Sequence, residues 1–503
     1  MKILLIYPQC PDTFWSLRHA LRVINKKAAF PPLGLLTVSS MLPQEWEKKL
    51  IDMNATPLTD KDISWADYVF ISAMVVQRDS VMEVIGRCKK LGVGVVAGGP
   101  LFTSEHENFE EVDHLVLNEA ETTLPAFLAD LEKGCPKHIY TSTERPDITK
   151  TPLPMWQLLD IKKYNRMSLQ YSRGCPFDCE FCDIVVLNGR KVRTKSRDQF
   201  LAELDALYNR GWRADVFIVD DNFVANRKKL SEEILPALIE WQKERNYPFV
   251  LATQGSINLA DDEELMQLMV TAGFDSVFIG IETPNEDSLA ECNKHQNINR
   301  DLVASVRKIQ NHGLQVQGGF ILGFDSDRAS IFKNQINLVQ KSGIVVAMVG
   351  LLNAPRGTKL YQRLQAEDRL LENVSGDNTD CSMNFTPKMN RETLIDGYKQ
   401  VLGTIYSPRQ YYMRVKTFLK QYKPQKRRGM SHLSFWHIWV FIRSVWFLGI
   451  VDRGRWAYWR FLFSTLLKRP RSFQVSMTLA IHGFHLRRVV RKYMGIPIED
   501  ALA

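Results

Sequence analysis

Three cysteines, Cys175, Cys179 and Cys182, fall within eight residues in the string Cys-Pro-Phe-Asp-Cys-Glu-Phe-Cys. A structural zinc site takes four ligands, commonly as two C-x2-C pairs. Three thiols on one short loop suit a different task, which is to hold three irons of a [4Fe-4S] cluster and leave the fourth iron open. Such clusters are ordinarily held by four cysteines, so a vacancy implies that something reactive binds there. Two other readings compete. The thiols could form a zinc site completed by a histidine or a distant cysteine, or they could be unrelated core thiols buried as small hydrophobes.

The C-x3-C-x2-C spacing, with Phe181 before the last cysteine and Arg173-Gly174 before the first, resembles the radical S-adenosylmethionine (SAM) superfamily. That resemblance implies that the open iron chelates the amino and carboxylate groups of SAM, with Phe181 beside the cofactor.

The elements around the triplet alternate between strand-like and helix-like segments. From Met167 onward the order is strand, loop and helix, repeated six times, with strands over Met167–Tyr171, Asp215–Asp220, Phe249–Gln254, Ser276–Glu282, Gln315–Gly323 and Val345–Leu352. This matches the partial (β/α)6 barrel of radical-SAM enzymes, whose chemistry sits at the strand C-termini. Asp220-Asp221-Asn222 ends the second strand, where the family binds the SAM amino group. Two carboxylates and an amide offer acceptors to an ammonium, but the same residues also favour helix N-caps. Gly280 and Glu282 end the fourth strand. A carboxylate after the apolar run Val277–Ile281 needs a partner; the family position implies the ribose hydroxyls of SAM, and a barrel arginine is the alternative. Gln254-Gly255-Ser256, Gly318–Asp325 and Ala354–Thr358 are further strand-end segments near the expected site.

Residues 1–140 alternate helices with four expected strands, Ile3–Tyr7, Tyr68–Ala73, Val93–Ala97 and His114–Leu117, in the manner of a Rossmann-like parallel sheet. Ligands of such sheets lie beyond the strand C-termini, which places Pro8–Pro11, Met74–Asp79 and Gly98–Phe102 around one crevice. Gly98-Gly99 reads in isolation as a tight turn. Together with Phe30-Pro31-Pro32-Leu33-Gly34-Leu35 and Asn118-Glu119-Ala120-Glu121, directly before the triplet, it resembles the cobalamin-binding radical-SAM class. Gly98 and Gly99 are then expected against the B12 cofactor. No Asp-x-His-x-x-Gly motif occurs, so the resemblance implies cobalamin without a protein histidine ligand. Tyr7, Gln77, Arg78 and Cys10 are weaker candidates on the crevice side.

Residues 141–165, with Pro146, Pro152 and Pro154, read as a linker between this domain and a barrel over 166–359. The expected fold class is therefore α/β, with a mainly helical C-terminal region over 360–503. The net charge of +9 is unevenly placed, because residues 411–503 hold 18 Lys and Arg against 3 acidic residues. That leaves the catalytic body acidic and argues against nucleic-acid binding by it. Lys426-Arg427-Arg428 precedes Phe435–Ile442, and five of the eleven tryptophans lie between 436 and 459. Cations mixed with Trp and Phe suit a bilayer interface, or else a helical cap packed on the barrel. No apolar run reaches bilayer-spanning length. Eight cysteines without a secretory signal indicate a reducing compartment, hence a cytoplasmic location at the inner face of the membrane.

With Val219-Asp220-Asp221-Asn222-Phe223 and Lys468-Arg469-Pro470-Arg471, the chain is similar to B12-dependent radical-SAM proteins of the hopanoid C-2 methylase type. The resemblance implies a C-methyltransferase that uses SAM twice: to methylate cobalamin, and to generate a 5′-deoxyadenosyl radical that activates an unactivated carbon for methyl transfer from methylcobalamin. It also implies a lipid-like hopanoid or isoprenoid substrate and a flavodoxin- or ferredoxin-type electron donor. A second reading keeps the radical step without methylation, as cyclisation, ring contraction or C–C coupling. A third is a cluster-bearing binding protein.

Overall fold

The computed structural model describes residues 1–371, 374–423 and 435–495; Lys426-Arg427-Arg428 lies outside them. The N-terminal sheet contains β1 (Lys2–Tyr7), β2 (Glu47–Asp52), β3 (Tyr68–Ser72), β4 (Gly94–Gly98), β5 (His114–Val116) and β6 (Ile139–Tyr140). Its order is β2-β1-β3-β4-β5-β6 and every pairing is parallel. The order reverses between β1 and β3, and a crevice opens at such a switch point beyond the strand C-termini. The loops after β1 and β3 border it, as expected. β2 and β6 add to the four strands expected. Both lie at sheet edges, where a strand needs no continuous apolar run: β2 begins Glu-Lys-Lys and β6 has two residues.

Residues 141–165 contain only short 3-10 turns, yet the segment is packed rather than loose. Trp156 and Tyr164 are buried, and the Tyr164 hydroxyl donates to Asp52 Oδ2 at 3.0 Å. Beyond it comes β7 (Met167–Leu169), then a small antiparallel pair, β8 (Ser172–Arg173) and β9 (Arg193–Thr194). β10 (Asp215–Ile218), β11 (Val250–Gly255), β12 (Phe274–Glu282), β13 (Gln315–Leu322) and β14 (Ala347–Leu351) complete the second sheet. Its order, β14-β13-β12-β11-β10-β7, is wholly parallel. Six such strands form an incomplete barrel, and no ladder joins β7 to β14 among the described residues. N-terminal residues fill that side: Phe14, Ala20, Val23, Ala28 and Leu36 belong to the same core as the barrel strands.

The C-terminal region is helical over Lys359–Ala366, Arg391–Ile405, Pro408–Gln421, Phe435–Ser444, Arg455–Lys468 and Phe473–Tyr493. The last of these reaches the N-terminal segment, where His485 Nε2 lies 3.1 Å from the Phe14 carbonyl. No helix of the described residues is long and apolar enough to cross a membrane.

The two sheets are joined by a buried ion cluster. Arg173 and Arg193 are cross-strand partners in the β8–β9 ladder, so both guanidinium groups face the same way. Glu119, just after β5, accepts from each at 2.8 Å, and Arg173 also meets Glu121 at 2.8 Å. The Glu119 side chain is 6% exposed. Removing one partner of a buried pair leaves an uncompensated charge, at a cost of roughly 3–5 kcal/mol. Glu119→Gln is therefore expected to lower the melting temperature and open segment 141–165 to protease; thermal melting with limited proteolysis checks this.

Candidate active site

The cysteine loop follows β8, and its backbone is fixed from several directions. Gly174 has φ +93°, and a side chain there would meet the Lys191 carbonyl at 2.6 Å. This explains the Arg-Gly-Cys order, since the chain must turn sharply between the ion cluster and the first thiol. Glu180 N–H donates to the Cys292 carbonyl at 3.0 Å, and Leu360 N–H donates to the Glu180 carbonyl at 3.0 Å. The Glu180 carboxylate accepts from Arg363 at 2.7 Å, and Arg363 also holds Asp325, beyond the end of β13, at 2.9 Å. One C-terminal helix thus ties the cysteine loop to the mouth of the barrel.

Cys175, Cys179 and Cys182 are free thiols, with Cys179 buried and the other two half-buried. Burial pushes all three thiols up from their ordinary range, while Lys294 pulls in the opposite direction. A bound metal overrides that burial effect and deprotonates its thiol ligands outright. Amide groups approach two of the sulfurs, Asn222 Nδ2 to Cys175 Sγ and Gln296 Nε2 to Cys179 Sγ, each at 4.0 Å. Three thiols on one loop with polar neighbours, and no fourth cysteine on that loop, are the donor set for a cluster with one open iron.

Asp220, Asp221 and Asn222 stand beside this loop, but they are not equivalent. Asp220 is 0% exposed; its oxygens accept from Tyr171 N–H at 2.7 Å and the Ser172 hydroxyl at 2.6 Å. Asp221 accepts from Gly174 N–H at 2.7 Å and Asn188 Nδ2 at 3.0 Å. Both oxygens of Asp220 brace the chain around the first thiol, whereas both contacts of Asp221 fall on Oδ2. Asn222 differs, because its buried Oδ1 has no partner. An orphaned buried acceptor needs a donor, and a ligand ammonium is one.

Glu282 has φ +61°, and its carboxylate lies over Gly280, where a side chain would collide with it. Its partner is Lys294 at 2.8 Å rather than a barrel arginine. Burial disfavours the Lys294 charge, but Glu282 and the Cys179 sulfur outweigh this and hold its pKa above the ordinary lysine range. Lys294 was not legible in advance; a lone lysine beyond a helix carries no spacing signal. Phe181 meets Phe324 edge-to-face at 6.3 Å, on the wall between the cysteine loop and β13.

Gly98 and Gly99 have duties within the N-terminal sheet. Side chains there would meet the Val116 carbonyl at 2.5 Å and Ser72 Oγ at 2.6 Å, so chain packing alone accounts for the pair. Gln77 is buried and Tyr7 half-buried at the same crevice, and the Gln77 amide donates to the Pro8 carbonyl. Burial raises the Cys10 thiol to about 12, which makes it an inert thiol at neutral pH. Arg78 pairs with Glu105, and both line a cavity of about 490 Å³ shared with Ala354, Arg356, Tyr361 and Asn384. This cavity lies where the strand-end loops of the two sheets face each other, and it has room for part of a large flat cofactor.

Three regions of the chain match family models: a B12 binding domain over 21–128, the radical SAM superfamily over 169–330, and a domain of unknown function, DUF4070, over 358–495. The chain is 41% identical to the uncharacterized methyltransferase sll1242 of Synechocystis sp., across 100% of this chain and 95% of that protein. It is 32% identical to the hopanoid C-2 methylase of Rhodopseudomonas palustris, across 93% and 90%. The chain belongs to the B12-binding radical SAM methyltransferase family. Two solved structures share its fold: the radical SAM methyltransferase TsrM from Kitasatospora setae, with cobalamin and a [4Fe-4S] cluster bound (TM-score 0.61, 13% identity, 91% of this chain and 99% of that one), and the cobalamin-dependent SAM radical enzyme OxsB, with aqua-cobalamin and SAM bound (TM-score 0.60, 15% identity, 100% and 81%).

Two predictions follow from this family member's site. Burial raises the Asp220 carboxyl to about 7, so the folded chain keeps a proton that the unfolded chain releases. Its stabilising effect is full below about pH 4 and is lost as pH rises towards 7. In cluster-free protein, Asp220→Asn should not show this loss, so the melting temperature of the variant gains on the wild type between pH 5 and pH 7. Lys294→Met leaves Glu282 buried without a counter-charge and is expected to weaken SAM binding at least about thirtyfold, the roughly 2 kcal/mol or more typical for losing one buried charged partner. Equilibrium binding to the reconstituted protein, with iron content as the control, checks it.

Proposed function

We propose that this chain is a cobalamin-dependent radical SAM C-methyltransferase that methylates an unactivated carbon of a lipid-like substrate of the hopanoid or isoprenoid class. The full-length similarity to a hopanoid C-2 methylase carries the reading of substrate class. In this reading Cys175, Cys179 and Cys182 hold the cluster. Asn222 offers its unpartnered oxygen to the SAM ammonium, with Asp220 and Asp221 positioning the loop behind it. Glu282 and Lys294, over Gly280, take the ribose and carboxylate side of SAM, with Phe181 alongside. Cobalamin lies at the switch-point crevice near Gly98 and Gly99, with no histidine ligand from the protein. When bound, these groups supply the radical and the methyl donor. The chain's own part is to orient them, exclude water and fix the reacting carbon. A flavodoxin- or ferredoxin-type protein provides electrons.

The C-terminal helices favour contact with the inner face of an anionic membrane. Ile438, Ile442, Trp446 and Ile450 recur every fourth residue and are all exposed, as are Trp456, Phe463 and Leu467 on the following helix. Trp456 is 74% and Leu467 83% exposed. Exposed cations surround them, among them Arg455, Arg460, Lys468 and Arg471. Asp452 is the one acidic residue between 435 and 493, and it is buried against Arg487. Other residues of the same helices, such as Tyr458 and Phe461, pack inward, so these helices also cap the core.

Producing cells grown anaerobically with methyl-labelled methionine should contain a lipid carrying one additional labelled CH2 unit, absent in Cys179→Ala cells. SAM cleavage in the wild type without any product gaining that unit would favour the non-methylating alternative. Purified protein should sediment with phosphatidylglycerol vesicles, less so at high salt. Leu467→Glu combined with Trp456→Glu should weaken this about tenfold, and equal sedimentation of the double variant would remove the membrane contact.

A further inference from the structure

The segment that fills the open side of the barrel presents one large side chain to the barrel interior. Trp15 is 39% exposed, yet it is tightly located. Its Nε1 donates to Met348 Sδ at 3.1 Å, and its ring meets Phe278 edge-to-face at 5.3 Å. Phe278 lies on β12 and Met348 on β14, so an N-terminal residue spans the interior between non-adjacent strands. Strand register gives the position. Met348 pairs with Gly319, and Gly319 pairs with Gly280. Paired residues of a parallel sheet point to the same face, and the two glycines let other side chains lie flat on that face: the Phe278 ring covers Gly319 beside Trp15. Glu282 and Lys294 lie over Gly280. Phe278 is two residues below Gly280, about 7 Å along the strand. Trp15 therefore lies on the same face of the sheet as the ion pair, with the Phe278 ring between them.

The loop that carries Trp15 is held by a buried polar latch. His19 Nε2 and Asp12 Oδ2 are 2.8 Å apart, and the Asp12 carbonyl accepts from Lys492 at 3.0 Å. His485 bonds the Phe14 carbonyl, and Leu17 sits at φ +50°. Asp12, His19 and His485 could together hold a metal ion. The carboxylate and the His19 imidazole are at hydrogen-bond distance, however, and His485 Nε2 is taken by the Phe14 carbonyl, so we read them as a latch. Burying two histidines and a carboxylate, and placing a leucine in the left-handed region, costs stability. The arrangement fixes the orientation of Phe14 and Trp15.

We infer that Trp15 is a substrate-contact residue, one wall of the chamber that receives a rigid, apolar ring system and so sets specificity for fused-ring lipids over linear ones. The inference rests on the lipid-methyltransferase reading above. An indole offers a large flat apolar face at low entropic cost. Phe278, Met348 and Ile321 of the same sheet are half-buried apolar side chains, as a chamber for such a ligand requires.

The test compares wild type, Trp15→Ala and Trp15→Phe, each with cluster and cobalamin reconstituted. Two acceptor pools are used: a pentacyclic hopanoid hydrocarbon in detergent, and total lipid extract of producing cells. SAM cleavage without acceptor is measured alongside. Trp15→Ala is expected to raise the acceptor KM about tenfold or more, as for loss of an aromatic anchor. It should leave acceptor-free SAM cleavage within about twofold, and Trp15→Phe should recover most of the loss. Equal loss of SAM affinity and cleavage would assign Trp15 to the SAM adenine instead and overturn the proposal. An unchanged acceptor KM in Trp15→Ala would overturn it too. If the wild type methylates a non-hopanoid molecule in the extract, the hopanoid assignment fails and the same three-way comparison on that molecule still decides the role of Trp15. If it methylates nothing in either pool, the methyltransferase reading falls and this proposal falls with it.

Discussion

Glu119 is the residue on which the rest of the arrangement turns. Its carboxylate follows a strand of the N-terminal sheet and is gripped by Arg173 and Arg193, the two facing arginines of the short β8–β9 ladder. Arg173 stands two residues before Cys175. A buried ion pair is weak evidence for stability, because desolvation offsets its attraction. Its value lies in geometry, since planar guanidinium groups fix a carboxylate in direction as well as distance. The crevice of one sheet and the cysteine loop of the other are therefore not free to drift apart.

A second set of contacts holds the other side of that loop. Arg363 bridges Glu180 and Asp325, and Leu360 N–H meets the Glu180 carbonyl. The C-terminal helices consequently do more than cover the barrel. They close its mouth, reach back to the N-terminal segment through His485, and expose an apolar, cationic face elsewhere. Radical chemistry needs a dry, immobile chamber, and three regions of the chain supply its walls.

The sequence made the skeleton readable for a simple reason. Parallel strands buried on both faces appear as continuous apolar runs, so all six barrel strands and four of the N-terminal strands stood out, and the cysteine spacing announced its own chemistry. Edge strands β2 and β6 escaped because β2 opens on Glu-Lys-Lys and β6 has only two residues. Individual roles at the site were less legible because they depend on which distant group arrives. Asp220 looked like a ligand acceptor but is enclosed beneath Tyr171 and Ser172. Glu282 called for a cation, and a fold was needed to show that Lys294 provides it. The glycines at 98 and 99 resembled a cofactor contact, yet packing within the sheet already requires them. Trp15 had no periodicity to mark it, since its position follows from the missing closure of the barrel.

The claim that one buried ion cluster sets the spacing of two cofactor sites is open to direct measurement. Pulsed electron paramagnetic resonance on protein loaded with cobalt(II) cobalamin and a reduced cluster reads the separation of the two spins and its spread. A single narrow distance in the wild type, broadened in Glu119→Gln at unchanged iron and cobalamin content, is the expected result. A broad distribution already present in the wild type, or one that Glu119→Gln leaves untouched, would contradict it.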